Sequence, residues 1–420
     1  MENVGFSHGK PVAAITIYEC LLQRNAFEAE SSGVFERLIQ MIRSTIEDQD
    51  SNDQLAYWLS NTSTLLFLIQ QRLKAAGSTD ATLHKKSPPS AFLFRRMTMP
   101  LTAYIMKSYG MIQNNLKMLG SFLSLRIWGF QLFPSFILAI AGLDVECQVE
   151  AKYPALHFEQ QLAACVEKIY GIIRDNLKKE LVLSLSLCIR APWTSKGSVS
   201  GYGHSFGKDS PSSHWQSIIE SLNAFHNKLK ENSVPPILIQ KIFTQVFSYI
   251  NVQLFNSLLL HCECCKFING EYLKAGLAKL ELWCNQAKDE YAGSFWDELK
   301  HIRQAVGFLV KDQKYRISYN EITNDMCPIL SVKQLYRICT LCRGDNYNTQ
   351  GVSPDVISSM RLLMTRDSNN AVSRSFLLDD TSSISFSVSD LSNSLQEKDF
   401  SNVKPAEELL KNPAFRFLQE

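Results

Sequence analysis

The sequence predicts an all-α fold: two associated helical-bundle subdomains joined by a long helix, followed by an extended C-terminal tail. Apolar residues recur at three- and four-residue steps along most of the chain, which is the spacing of one helix face. One stretch, residues 235–265, is apolar around most of its circumference, as expected for the central helix of a bundle. No repeat of fixed period is visible in the sequence, so a solenoid is not expected.

The expected subdomains follow changes in composition along the chain. Residues 1–190 form the first helical subdomain and residues 214–365 the second, separated by a flexible loop at 191–213 that is rich in Gly, Ser and Pro. Residues 366–420 form an extended tail rich in Ser and Asp, which would be disordered alone. Its isolated apolar anchors are Phe376, Leu377, Leu378 and Phe386.

Four helices are predicted in the first subdomain. The first spans residues 11–22, because proline is favoured in an opening turn, and the second spans residues 31–47. Ser51 and Gln54 form a capping box for the third helix, which is expected to end at Gly77. The fourth is a long helix over residues 154–189 that belongs partly to both subdomains. Its solvent-exposed face is predicted to carry Arg174, Lys178, Lys179 and Glu180.

The central helix is expected to begin with Ser233 as its N-cap and with Pro235 and Pro236 in its first turn. Its polar positions form one narrow seam without a carboxylate or a histidine pair, so a core helix is favoured over the wall of a cofactor channel. The seam consists of Lys241, Thr244, Ser248 and Asn251.

Two amphipathic helices follow, over residues 271–288 and 294–310, and shorter helices cover residues 331–342 and 354–364. The exposed faces of the first two carry mixed charge and small residues, which suits the docking of another protein. An ordinary solvated helix face shows the same pattern, and few positions of an interface carry binding energy. The predicted partner-binding residues are Lys274, Ala278, Glu281, Lys300, Arg303 and Gln304.

An atypical hydrophobic insert occupies residues 99–140 and their surroundings. Within it, Ile127 to Leu143 is a run of 17 residues without a formal charge, close to the lower limit of about 17 for a bilayer span. Pro134 and Gln131 interrupt the run, so a buried insert is favoured over a transmembrane helix. The alternative function is a membrane-anchored helical adaptor held by residues 127–143.

Composition argues against several functional classes. The 43 basic and 41 acidic residues nearly balance, so neither nucleic acid nor an anionic membrane is an expected partner. The 11 cysteines lie mostly in apolar helical patterns, which fits buried thiols in a reducing compartment. The N-terminal residues lack the pattern of a secretory signal, so a cytoplasmic location is expected.

Three patterns resemble sites for chemistry, and none is complete. The cysteines at 262–265 and 339–342 lie in apolar helical patterns, so buried thiols are favoured over zinc ligands. The loop at 201–210 fails as a P-loop, since Tyr202 and Asp209 replace required residues. His301 with Glu298 or Arg303 lacks a nucleophile and oxyanion donors. No catalytic residue, metal or cofactor is assigned, and an enzyme is not expected.

The motifs VFSYINVQLFNSLLL and GEYLKAGLAKLELWC, with the cysteine pair between them, are similar to the globular tail, or dilute domain, of class V and class XI myosins. The plant class XI tails are nearest. Further similar segments include GKPVAAITIYECLL, AYWLSNTSTLLFLIQ, QVEAKYPALHFEQQL, EKIYGIIRDNLKKE, SFGKDSPSSHWQSII and DELKHIRQAVGFLVKDQKYRISYNEI. The resemblance spans most of residues 9–98 and 141–390. The family has a polar loop where this chain has its insert, which suggests the hypothesis of a misread gene boundary.

The resemblance implies cargo recognition for an actin-based motor, in which receptors dock on a rigid helical scaffold without catalysis. It implies organelle or vesicle receptor proteins and Rab-type small GTPases as partners, with actin reached only indirectly through a full-length motor. At three positions where the family has polar residues that contact the GTPase, this sequence has Ala275, Gly307 and Val310. This difference argues against family-like GTPase binding by this chain. In that family the extended C-terminal segment of the domain wraps back across the first bundle. A tail without a motor head, peripherally associated with vesicle or organelle surfaces in the cytoplasm, is expected.

Overall fold

The computed structural model places the chain in an all-α fold, as predicted. The unit described below comprises residues 1–71 and 154–420, and residues 72–153 cluster as a unit of their own. The hydrophobic insert, the run at 127–143 and the loop at 192–210 lie outside the described residues, so the predictions made for them stay predictions. The structure describes residues 5–7, 9–23, 26–27, 33–47, 51–80, 154–191, 211–288, 295–342, 351–367, 376–380, 383–384, 386–400 and 403.

A two-stranded antiparallel hairpin and three helices precede the insert. Phe6–Ser7 (β1) pairs with Lys10–Pro11 (β2) across a turn in which Gly9 has a φ of 72°, a left-handed value that favours glycine. The helices lie where they were predicted, except that the third continues to Asp80 and does not end at Gly77. They are Val12–Gln23 (α1), Gly33–Glu47 (α2) and Asn52–Asp80 (α3).

The long helix Pro154–Cys188 (α4) organises the first bundle. Helix α2 runs alongside it in the same direction, with Phe35 stacked on Phe158 at 4.5 Å between ring centroids. Helix α3 runs antiparallel to it, because Asn52 bonds Asn176 at 2.8 Å whereas Gln70 bonds Glu159 at 2.7 Å. One helix therefore supplies the packing surface for both neighbours.

The second bundle surrounds Pro236–Leu260 (α6), which is buried along its predicted apolar stripe. It follows Pro211–Glu231 (α5), so residues 211–213 are helical rather than part of the predicted loop. The other elements are a 3-10 helix Cys262–Cys265, Phe267–Lys288 (α7), a 3-10 helix Phe295–Leu299, Lys300–Leu309 (α8), a 3-10 helix Lys314–Arg316, a π-helical turn Glu321–Met326, Val332–Leu341 (α9) and Pro354–Asp367 (α10).

The start of α6 corrects one prediction. Its N-cap residue is Pro235, without a side-chain cap, and Pro236 is the first helical residue. Ser233 has a φ of 51°, and its carbonyl accepts a hydrogen bond from the Ser60 hydroxyl at 2.8 Å. Ser233 is therefore a turn residue between α5 and α6, because the chain needs a left-handed residue there before it can enter the proline-led helix.

The described residues from 376 to 400, which we call the strap, run back over both bundles. The strap contains the short helix Val388–Ser394 (α11) and the 3-10 helix Glu397–Asp399. Phe386 packs on Tyr170 of α4 at 4.8 Å, and Phe400 lies 5.8 Å from Phe67 of α3. Aromatic side chains thus anchor the strap to the first bundle.

The predicted solvent-exposed face of α4 is wrong for two of its four residues. Lys179 and Glu180 are exposed, but Arg174 and Lys178 are buried. The Lys178 ammonium bonds both carboxylate oxygens of Asp380 at 2.9 and 3.0 Å. The periodicity of α4 could not show this, because the cover comes from residues about 200 positions further along the chain.

Candidate partner-binding surface

Helix α7 presents the face predicted to bind a partner. Lys274, Ala278 and Glu281 are exposed, and Lys274 forms an ion pair with Glu271 at 3.8 Å. Leu282 extends this face as a large apolar side chain with 60% of its surface exposed. The opposite side of α7 is buried, as predicted, through Leu273, Leu277, Leu280 and Cys284.

Close helix contacts fix the position of α7. The glycines at 270 and 276 are buried. A Cβ atom on Gly270 would lie 3.0 Å from the Leu309 Cβ, and one on Gly276 would overlap the Trp215 indole of α5. A partner therefore meets a helix whose backbone is held rigidly on its inner side.

The predicted residues of α8 divide into two kinds. Lys300 is exposed, whereas Arg303 and Gln304 are half-buried and bonded within the fold. The Arg303 guanidinium lies 4.2 Å from the centroid of the Trp296 ring, and its Nη1 donates to the Trp296 carbonyl at 3.3 Å. The Gln304 Oε1 accepts the Ile329 N–H at 3.1 Å. Arg303 and Gln304 are less available to a partner than the sequence suggested.

The start of α8 is held by the polar seam of α6. Asn251 is buried, and its Oδ1 accepts the Ile302 N–H at 3.0 Å. Its amide nitrogen lies 3.4 Å from Nδ1 of His301, whose ring is 5.6 Å from that of Phe255. This seam residue therefore caps the N-terminus of a neighbouring helix, a contact that sequence spacing could not reveal.

His301 is expected to make the folded chain less stable in mildly acidic solution. Burial, with a smaller contribution from Lys300, lowers the pKa of His301 below its ordinary value of 6.5. The unfolded chain therefore takes up a proton at this histidine more readily, so stability contributed by neutral His301 is present above pH 6.5 and is lost as the pH falls toward the folded-state pKa.

The test is urea unfolding at pH 7.5 and 5.5 of the wild type and of His301→Gln. We expect the wild type to lose more stability than the variant over this interval. An equal loss in both proteins would contradict the assignment, because other titrating groups are common to the two chains.

The cysteine clusters lie in the core except for Cys262, which is exposed and not a buried thiol as predicted. Cys264, Cys265, Cys339 and Cys342 are buried, and burial raises the pKa of Cys265 and Cys339. Burial also raises the pKa of Cys188 and Cys284 to about 12, which keeps these thiols protonated and unreactive at neutral pH. Within the part of the chain that the structure describes, no group of three or more His, Cys, Asp or Glu side chains could hold a metal ion.

A second polar surface, which the sequence analysis missed, lies beneath the strap. Gln245 and Asn256 of α6 and Gln334 of α9 direct their side-chain amides at the strap backbone. The signal in the sequence was that α6, although largely apolar, has amide side chains outside its polar seam, and Gln245 and Asn256 are two of them. Periodicity alone could not show that a distant segment covers them.

The central part of this chain matches the model of a known protein family. Residues 241–346 match the DIL domain family. The match begins within α6 and continues past α9, so it contains α7, α8 and all six predicted partner-binding residues. These facts agree with the resemblance found in the sequence, which is thereby confirmed.

Relatives match over nearly the whole chain. The chain is 60% identical over 417 residues to Myosin-6 of Arabidopsis thaliana. The alignment covers 99% of this chain and 26% of that protein. It is 58% identical over 419 residues to Myosin-8 of the same plant, with 99% and 26% covered. The chain thus spans about a quarter of the length of the curated relatives it matches.

Solved structures share the fold. Myo2-GTD in complex with Mmr1 matches with a TM-score of 0.61 at 12% identity, covering 96% of this chain and 83% of that one. A myosin V cargo binding domain matches with a TM-score of 0.55 at 14% identity, covering 96% and 84%. Within the described ranges, no helix is both long and apolar enough to cross a membrane.

Proposed function

Because a DIL domain lies within a chain that aligns almost throughout with a quarter of several plant myosins, we propose that this chain is a cargo-binding globular tail. It docks receptor proteins of organelles or vesicles for actin-based transport. The observation that carries the proposal is the identity of 60% to a part of Myosin-6 over nearly the whole of this chain.

The proposed mechanism is docking on a rigid helical surface without catalysis. A partner contacts Lys274, Ala278 and Glu281 on α7 and Lys300 on α8, with the apolar Leu282 at the margin. Arg303 and Gln304 contribute mainly by positioning α8. The solved Myo2-GTD structures with Mmr1, Inp2 and Smy1 support the idea that this fold accepts protein ligands.

Under this proposal the partners are organelle or vesicle receptor proteins, and Rab-type small GTPases are candidates for the second bundle. Actin is reached only through a motor. Association with vesicle or organelle membranes is peripheral, through the docked receptor, in the cytoplasm. The alternative of a membrane-anchored adaptor depends on residues 127–143, which lie outside the described residues.

The proposal predicts that the chain competes with complete motors for receptors. Overexpression in Arabidopsis cells is expected to slow organelle movement at least twofold, as tracked by fluorescence microscopy. Ala278→Arg places a long charged side chain at the centre of the exposed α7 face and is expected to remove most of this effect.

Ser358→Arg, at an exposed position of α10, is the matched control and is expected to slow organelles as the wild type does. Expression level and melting temperature are measured for all three proteins. Unchanged organelle speed with the wild-type chain would contradict the proposed function. Equal slowing by Ala278→Arg would contradict only the placement of the docking surface on α7.

A further inference from the structure

The strap lies on a bank of polar side chains that belong to three helices. Lys178 of α4, Gln245 of α6 and Gln334 of α9 are each more than nine-tenths buried. Asn256 of α6 is half-buried beside them. We call these four residues and Tyr170 the strap groove. All four polar side chains form hydrogen bonds to the strap.

Most of these bonds recognise backbone rather than side chains. Asn256 makes two hydrogen bonds to one residue: its Oδ1 accepts the Leu378 N–H at 2.9 Å, and its Nδ2 donates to the Leu378 carbonyl at 2.8 Å. The Gln334 amide donates to the Phe376 carbonyl at 3.0 Å, and the Gln245 amide donates to the Ser383 carbonyl. Backbone recognition of this kind accepts any extended segment, and pockets for side chains then select the sequence.

One contact supplies that selection. The Lys178 ammonium holds both oxygens of the Asp380 carboxylate and also lies 5.0 Å from the centroid of the Tyr249 ring. A fitting segment therefore has a carboxylate two residues after the residue that bonds Asn256. The ring of Phe386 lies edge-on to that of Tyr170 and anchors the strap beside this site.

The strap is held unevenly along its length. From 386 to 400 it is anchored by burial, through Phe386, Leu391 and Phe400. In the described residues from 376 to 384 no side chain is buried: the first three are half-buried, and Asp379, Asp380, Ser383 and Ile384 are exposed. Segments with little buried apolar surface open at low free-energy cost. The outer part can therefore lift while the inner part stays anchored.

We propose that the strap groove is a receptor for an extended acidic segment of a partner protein, and that residues 376–384 occupy it as an internal substitute. Lifting of these residues uncovers Lys178 and the three amides, and a partner segment with a carboxylate at the same spacing takes their place. The strap is tethered to the groove and competes with a free ligand. The apparent affinity of that ligand is therefore its intrinsic affinity multiplied by the fraction of molecules in which the groove is open.

The probe is a fluorescent synthetic peptide with the sequence of residues 376–384, and its binding to the full chain is measured by anisotropy. Leu378→Pro removes the N–H that bonds Asn256 and leaves every groove residue intact. We expect the peptide to bind Leu378→Pro at least tenfold more tightly than the wild type. A peptide carrying Asp380→Lys is expected to lose at least tenfold, and the double variant Leu378→Pro with Lys178→Met is expected to lose the gain.

Equal binding to the wild type and Leu378→Pro would overturn the proposal, as would equal binding of the two peptides. Hydrogen exchange of the wild type tests it without any variant. The Leu378 amide is expected to exchange at least a hundredfold faster than the Leu391 amide of α11, and equal rates would overturn it. Because this peptide is not cargo, its failure to bind leaves the organelle experiment on the α7 face unaffected.

Discussion

Gly276→Ala is expected to destabilise the folded chain by about 3 kcal/mol, the upper part of the usual range for overpacking a core. A methyl group at this position would overlap the Trp215 indole, which is almost fully buried. A buried bicyclic ring cannot swing away as an exposed flexible side chain can, so α5 and α7 must separate. The cost therefore falls on a helix contact and not only on one side chain.

Gly307→Ala is the matched control and is expected to have the opposite sign. Gly307 lies on the exposed side of α8, with no atom within 4 Å of an added Cβ. Alanine is favoured over glycine in helices, so this variant is expected to gain about 0.5–1 kcal/mol. Urea unfolding followed by circular dichroism measures both changes. A loss below about 1 kcal/mol for Gly276→Ala would show that α5 and α7 pack less tightly than the structure indicates.

These two glycines show where sequence reasoning stops. Both lie in amphipathic helices, and helical spacing places Gly276 on the buried face of α7 and Gly307 on the exposed face of α8. The periodicity of α7 and α8 correctly predicted which neighbours are buried, because a helix face follows from spacing alone. Whether a glycine position touches another helix depends on the distance between two elements, and no spacing within one helix contains that distance.

The candidate surface was predictable to a similar degree. Lys274, Ala278 and Glu281 are exposed as expected, because α7 has one free side. Arg303 of α8 occupies a comparable position in its own helix, but the Trp296 ring lies against it. Lys178 is the extreme case: its helix spacing marks solvent, and the strap buries it. Segments that return from far along the chain are the common cause of these differences.

The aromatic cluster beneath α6 gives the second large effect. Phe247 has no exposed surface, and its ring stacks on Trp283 of α7 at 5.6 Å and on Phe295 at 5.8 Å. Phe247→Ala removes the ring that lies between these two elements. Because the rigid neighbours collapse only partly into the space, the expected loss of unfolding free energy is about 3–5 kcal/mol.

Leu282→Ala is the matched control for this truncation. Leu282 precedes Trp283 in α7 but points to solvent, so its loss is expected to change stability by no more than about 0.5 kcal/mol. Urea unfolding is followed by tryptophan fluorescence, since Trp283 is a direct neighbour of the cavity. If Phe247→Ala cost as little as Leu282→Ala, the cluster could not be what holds α7 against α6. The exposed α7 face would then lack the rigid support that docking on it requires.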